Sequence, residues 1–142
     1  MSLVDDCVFC KIIKGEIPSA KVYEDDLVLV FLDIAPFNFG HSVVVPKDHH
    51  HSVTTLPAEY LAHMMSVAAR VAPAVMRATG AEGFNLFLNN GAVAGQVVPH
   101  AHLHILPRFV NDGVIIQAAA KKYDGPAAMQ AMATEISAKV KA

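Results

Sequence analysis

Residues 100–106 read HAHLHIL, and this stretch decides how the chain is interpreted because histidine alternates with apolar residues along it. Alternation with a period of two predicts a β-strand, in which every second side chain points to the same face. The three imidazoles would then share one face at intervals of roughly 6.6 Å. Ala101, Leu103 and Ile105 would form the opposite, apolar face and pack on the core.

Three explanations of this histidine face remain open. The side chains could merely make a surface strand polar, although three histidines are an odd means to that end. They could all hold one zinc ion whose open fourth position activates water. They could also divide the work among a metal ligand, a nucleophile and a hydrogen-bond partner, because a neutral imidazole is a good nucleophile near pH 7.

Cys7 and Cys10 are the only cysteines of the chain, and their C-x-x-C spacing suits one Zn²⁺ ion. The same spacing occurs in redox pairs, and the thiols could also be inert. A redox motif usually opens a long helix after a strand, whereas only six residues precede Cys7. Zinc is therefore favoured, with two histidines completing the site, for which His49 and one histidine of residues 100–104 are the natural candidates.

A segment rich in small residues, NNGAVAGQVV at 89–98, leads into the histidine stretch. Asn90-Gly91 is a hairpin signal, and a simple hairpin is one explanation. Small residues also let backbone N–H groups approach an anion closely, and Asn89 and Gln96 add side-chain donors. A phosphate-binding loop is the alternative explanation.

Composition restricts the function classes. The 142 residues predict one domain, and a net charge of −2 argues against a nucleic-acid or anionic-membrane surface. The longest apolar run, residues 27–32, is too short to span a membrane. The N-terminus has neither a basic region nor a long apolar stretch, so no signal peptide is predicted and a cytoplasmic location is expected.

Hydrophobic periodicity and chain breakers predict an α+β fold with an antiparallel sheet and one long helix. Pro73 is expected to kink that helix near Ala69. The predicted elements are a short helix at 7–14, strands at 21–24, 27–33 and 41–45, the long helix at 57–78, strands at 84–89 and 100–106, and a final helix at 126–140.

Motifs spread over residues 7–108 together resemble the histidine-triad (HIT) superfamily of nucleotide hydrolases and transferases, closest to bacterial relatives of the histidine-triad nucleotide-binding proteins. They are CxFCKII at 7–13, EIP at 16–18, FLDIxP at 31–36, GH at 40–41, VPKxH at 45–49 and GQxVxHxHxH at 95–104. The resemblance implies one domain over 1–142, with its core at about 7–108 and a helical tail at about 109–142. It also implies a homodimer whose sheets join into one extended sheet.

The resemblance also assigns roles within the site. His102 would attack the α-phosphorus of a purine nucleotide conjugate to form a nucleotidyl-histidine, which water cleaves, and His104 would contact the phosphate or the leaving atom. His41 would support these groups. Nucleotide binding would fall to Asp33, Ile34, Asn89, Gly95, Gln96 and Val97. A structural zinc would be held beside the short N-terminal helix by Cys7, Cys10, His49 and His100.

Two departures from the family pattern bear on specificity. Val97 stands where the nucleotide-binding branch often has a serine, and the chain has no tryptophan to match that branch's C-terminal one. The predicted activity is phosphoramidase-like hydrolysis of AMP or GMP conjugates, without nucleic-acid or membrane partners. The alternatives are a dinucleoside polyphosphate hydrolase and a nucleotide-binding protein with vestigial catalysis, although a pure binder needs no nucleophile.

Overall fold

A computed structural model describes residues 2–116 and 118–140. The predicted α+β class is confirmed. The predicted domain range of 1–142 includes residues 1, 117, 141 and 142, which lie outside the described residues. The elements are α1 (Val8–Ile13), β1 (Lys21–Glu24), β2 (Val28–Leu32), β3 (Ser42–Pro46), α2 (Ala58–Thr79), β4 (Gly83–Leu88), a 3₁₀ turn (Ala92–Ala94), β5 (Leu103–Arg108) and α3 (Gly125–Lys139).

The five strands form one antiparallel sheet in the order β1-β2-β3-β5-β4. β5 is therefore an interior strand, although it is the last strand in the chain. Its His104 lies opposite Val43 of β3 on one side and Phe87 of β4 on the other. Because facing residues of paired strands point the same way, these three side chains share one face of the sheet.

The other face of the sheet packs against α2. Leu103 and Ile105 are buried there, as the alternating pattern predicts. The helix contributes Met64, Val67 and Ala68 to the same core. α2 continues through Pro73 as far as Thr79, so the proline does not interrupt the helix. This core holds the sheet rigid beneath the face that carries the histidines.

The histidine face is covered by α1. Ile12 is buried against Phe31 and Val43, and Phe9 packs partly buried beside them. Cys7 caps α1, because its Sγ accepts a hydrogen bond from the Cys10 N–H at 3.4 Å. Both cysteines therefore lie at the N-terminal end of α1, Cys7 as its cap and Cys10 in its first turn.

The prediction of a strand over residues 100–106 is wrong in its first half. β5 begins at Leu103, and the His100 N–H donates to the carbonyl of Val98 at 2.8 Å rather than to a neighbouring strand. The Ala101 N–H donates to the His50 carbonyl at 2.6 Å. Both N–H groups therefore bond to loop carbonyls, and strand pairing starts only at Leu103.

The tail differs from the rest of the chain in its packing. α3 confirms the predicted final helix, but none of its residues is buried. No helix within residues 2–116 and 118–140 is both long and apolar enough to cross a membrane.

Candidate active site

The three histidines of residues 100–104 lie in different environments. All are buried, with exposed fractions of 0% for His100, 6% for His102 and 9% for His104. This burial contradicts the explanation that the histidines merely make a surface strand polar. His100 lies near two cysteines, whereas the ligand atoms near His104 belong to Asp33 and His41. The rings do not converge on one point, so a single three-histidine metal site is also contradicted.

Cys7, Cys10, His49 and His100 bring four ligand atoms within 4.8 Å of one another. The two Nδ1 atoms are 3.2 Å apart, and three Sγ···Nδ1 distances are 3.4, 3.4 and 3.5 Å. Tetrahedral zinc would place two nitrogens about 3.3 Å apart and nitrogen about 3.5 Å from sulfur, given bond lengths of about 2.0 and 2.3 Å. The donor set and its spacing therefore fit this ion.

The surroundings of the cluster favour a cation for two reasons. The His100 Nε2–H donates to the Pro46 carbonyl at 3.0 Å, which leaves Nδ1 unprotonated and able to ligate. Burial also lowers the pKa of His100 to about 4, which keeps the ring neutral and able to ligate, whereas it raises the pKa of the Cys10 thiol to about 11 and so disfavours the thiolate while no cation is bound. A bound cation would lower the pKa of this thiol again, because it stabilises the thiolate.

His102 is oriented by the backbone of its neighbour. Its Nδ1–H donates to the His100 carbonyl at 2.7 Å, so the lone pair of the neutral ring is on Nε2. Phe9 contacts the ring edge-on, with a centroid distance of 5.0 Å. Burial lowers the pKa of His102, which keeps the ring neutral near pH 7.

His104 ends a chain of hydrogen bonds whose direction is determined by a backbone group. The Phe37 N–H can only donate, and it donates to His41 Nδ1 at 3.2 Å. His41 Nε2–H then donates to His104 Nδ1 at 2.9 Å, which leaves the proton of His104 on Nε2. Because His41 Nε2 carries the proton that it donates to His104, it cannot ligate a cation in this arrangement, and Asp33 Oδ2 lies 3.7 Å from it, beyond hydrogen-bond distance.

Burial also determines the charge of His41 and His104. It lowers the pKa of His104 to about 4 and lowers the pKa of His41. The Phe87 ring stacks on His104 with centroids 4.4 Å apart and planes 10° apart. His104 is thus held as a neutral hydrogen-bond donor.

A cavity of about 410 Å³ joins these groups. Its polar lining includes Asp33, Asn89, His102 and His104, and its apolar end is formed by side chains of α1, β2 and β3. Asp33 Oδ1 accepts the Ala35 N–H at 2.9 Å, and its Oδ2 lies 3.7 Å from His41 Nε2. The volume is within the range of small-ligand sites.

The segment at 89–98 is not a two-residue hairpin. β4 and β5 do pair, but the connection between them contains the 3₁₀ turn and spans residues 89–102. Of the predicted nucleotide-binding residues, Asn89, Gly95 and Val97 line the cavity together with Asp33 and Ile34. Gln96 does not, because its side chain is bonded to backbone groups at 51, 91 and 98.

Several lining residues were missed by the sequence analysis as site residues. Phe87 and Phe37 touch the histidines, and Val8, Phe9 and Ile12 close the apolar end. Alternation along the predicted strand at 84–89 does place Phe87 on the same face as Asn89. That face could be assigned to the site only once the register with His104 was known.

Comparison of the sequence with known proteins identifies related chains. Residues 14–111 match the HIT domain family. Over 111 residues the chain is 48% identical to the adenylylsulfatase HINT3 of Arabidopsis thaliana, covering 78% of this chain and 56% of that protein. Over 136 residues it is 39% identical to the adenosine 5′-monophosphoramidase hnt1 of Schizosaccharomyces pombe, covering 95% and 98%.

Solved structures agree with the fold. A Streptococcus mutans protein superposes with a TM-score of 0.92 at 38% identity, covering 97% of this chain and 87% of that one. A Zn-bound histidine triad family protein of Mycobacterium smegmatis superposes with a TM-score of 0.74 at 34% identity, covering 95% and 98%.

Proposed function

Because this chain belongs to the histidine-triad (HIT) family, we propose that it hydrolyses purine nucleotide conjugates at the α-phosphorus in a phosphoramidase-like reaction. The observation that carries the proposal is the His102 ring, which is tied through Nδ1 to the His100 carbonyl at 2.7 Å and lines the cavity. The relatives named as an adenylylsulfatase and a monophosphoramidase support the same class of substrate, an adenylate with a leaving group on its phosphate.

In the first step, His102 Nε2 attacks the α-phosphorus, and the bond from phosphorus to the leaving nitrogen or oxygen breaks. The leaving atom takes up a proton from water, while the neutral His104 keeps its Nε2 proton and donates a hydrogen bond to the phosphate or the leaving atom. In the second step, water attacks the phosphorus and loses a proton to solvent, the bond to His102 Nε2 breaks with its electron pair returning to the ring, and the nucleoside monophosphate is released. His102 serves as nucleophile because burial keeps it unprotonated.

Nucleotide binding would use the whole cavity. Asp33 would accept hydrogen bonds from ribose hydroxyls, Ile34 lies beside it, and the apolar lining of the cavity suits a purine ring. Asn89 and the backbone at Gly95 and Val97 would meet the phosphate. These local donors are required because the net charge of −2 offers no broad positive field.

We also propose that Cys7, Cys10, His49 and His100 hold a structural zinc ion. Such an ion would supply a cross-link between α1, the segment after β3 and the residues before β5, outside the chemistry at His102. The Zn-bound relative supports this assignment.

A homodimer with a continuous sheet completes the proposal. β4 is an edge strand of the sheet, and unpaired edges favour association. Leu61 and Met65 on α2 are among the exposed large apolar residues of the described chain and would add apolar area. Sedimentation at micromolar concentration measures the dimer, and a monomer there contradicts it.

Rapid quenching with an adenylate that carries an amine leaving group tests the reaction. Intact mass should show an adenylylated chain in the wild type, none in His102→Asn, and slower formation in His104→Asn. His63→Asn is the matched control, because His63 lies on α2 and bonds Asp25 at 2.6 Å. Turnover without an adduct would contradict covalent catalysis. Binding without turnover across amine, sulfate and dinucleoside conjugates would instead indicate a nucleotide-binding protein.

A further inference from the structure

The side chain of Gln96 makes three hydrogen bonds in and beside the proposed phosphate-binding loop, here taken as residues 91–98. Its Oε1 accepts the Gly91 N–H at 2.8 Å, and its Nε2 donates to the carbonyls of His51 at 2.7 Å and Val98 at 3.1 Å. A primary amide has two N–H donors and one acceptor oxygen, so every donor is used. Exchanging the amide oxygen and nitrogen would place oxygen against two carbonyls, which excludes the opposite assignment.

The loop has few other attachments. Its 3₁₀ turn contains no buried residue, and the side chains of Val93 and Val97 are exposed. Apolar burial therefore contributes little to its position. Beyond its own backbone turns, the loop is held by the side-chain bonds of Gln96 and by Asn89, whose Nδ2 donates to the Gly95 carbonyl at 3.4 Å. Loss of the Gln96 bonds should therefore loosen it.

The bonds of Gln96 join two parts of the site. His51 follows the proposed metal ligand His49 by two residues, and the neighbouring bond from Ala101 N–H to the His50 carbonyl links the same segments. The Val53 N–H donates to Asn90 Oδ1 at 3.0 Å. Gln96 is the one of these links that also spans the loop itself, from Gly91 to Val98.

We propose that Gln96 is a positioning residue that holds residues 91–98 against His51 and does not touch the nucleotide. Through these bonds it presents the Gly95 and Val97 backbone to the cavity and supports the turn that precedes His100. The assumption that this loop receives phosphate rests on the proposed function, whereas the positioning of the loop does not.

Two variants separate positioning from direct contact. Gln96→Ala removes all three bonds. Gln96→Glu preserves size and one acceptor for the Gly91 N–H, but its ionised carboxylate faces two carbonyl oxygens. Gln130→Ala is the matched control, because Gln130 lies on α3 and donates only to Thr134 within that helix.

Amide hydrogen exchange in the nucleotide-free protein is the decisive measurement. We expect Gly91 to exchange about fivefold to tenfold faster in Gln96→Ala, as the loss of one hydrogen bond predicts. The backbone resonances of residues 91–98 and of His51 should shift in both variants, and neither change should occur in Gln130→Ala. Where turnover is measurable, kcat/KM should fall by about tenfold to a hundredfold, as misplacement of a site by an ångström does.

Unchanged exchange and resonances in both Gln96 variants would overturn the proposal. If AMP affinity nevertheless fell, Gln96 would be a direct phosphate ligand. If the wild type turned over no nucleotide conjugate, the proposed function would fail, and the exchange measurement would still decide the role of Gln96.

Discussion

His100 contacts Cys7 and His49 through its ring and His102 through its backbone carbonyl. Its Nδ1 lies 3.4 Å from Cys7 Sγ and 3.2 Å from His49 Nδ1, while its carbonyl oxygen accepts the His102 Nδ1–H. Movement of this residue would therefore change both the Cys7, Cys10, His49 and His100 cluster and the orientation of the proposed nucleophile. The cluster and the cavity are coupled through one residue.

At this residue scale, Cys10→Ser should weaken zinc binding strongly. Mutation of a residue that only hydrogen-bonds to a metal ligand can weaken metal affinity by up to about a hundredfold. Replacing one of the four ligands themselves should therefore weaken it by at least that factor. Elemental analysis of the purified proteins measures the zinc content per chain. His51→Asn is the control, because its exposed ring lies beside His49 without belonging to the cluster. Equal zinc content in Cys10→Ser and the wild type would refute the assignment.

At the scale of elements, Gly40 is the point where the segment before β3 crosses the end of α2. Its φ is +95°, and a Cβ there would lie 2.6 Å from Thr79 Cγ2, in the last turn of the helix. Glycine is needed for the backbone angle and for the close approach. The next residue is His41, so this crossing also determines where the hydrogen-bonded histidine chain begins.

Gly40→Ala should therefore lower the free energy of unfolding by about 1–3 kcal/mol, from backbone strain and the clash together. Denaturant unfolding measures the change. Gly83→Ala is the matched control, because a Cβ at Gly83 meets no atom within 4 Å and its φ is not positive. Equal losses of unfolding free energy in Gly40→Ala and Gly83→Ala would contradict the requirement for glycine at position 40.

At the scale of the whole molecule, the sheet separates two interiors of different chemistry. The core against α2 is apolar, whereas the opposite face buries His41, His102 and His104 as neutral rings. Burial lowers the pKa of all three, to about 4 for His104. Unfolding returns each ring to water, where its pKa is about 6.5.

Stability should therefore fall as the pH decreases from 6.5 towards 4, because the unfolded chain binds protons that the folded chain excludes. His104 alone should account for a loss of about 2–3 kcal/mol between pH 7.5 and 4.5. Urea unfolding with a chelator present, so that metal release makes no contribution, measures the dependence. His104→Asn should lose less stability than the wild type over this range. Parallel curves would contradict the assigned burial of a neutral ring.

Local sequence patterns were sufficient for most elements of the fold. The period of the apolar residues in α2, the alternation in the strands and the chain breakers predicted every helix and strand to within a few residues, whereas the 3₁₀ turn at Ala92–Ala94 was not predicted. These signals act between residues at most a few positions apart, which is the range of a helical turn or a strand repeat. For the same reason, the residue types able to bind metal and phosphate were recognisable before the fold was known.

Tertiary structure decided how those residues divide the work. His100 meets Cys7 across 93 positions and His41 meets His104 across 63, so no local pattern reports either contact. Backbone bonds to Val98 and His50 hold residues 100 and 101 outside the strand, and the tight loop around Gln96 directs its amide to backbone groups instead of the cavity. These distances depend on the order of the strands and on the closure of the loops. Both are determined by the packing of the complete chain and not by neighbouring residues.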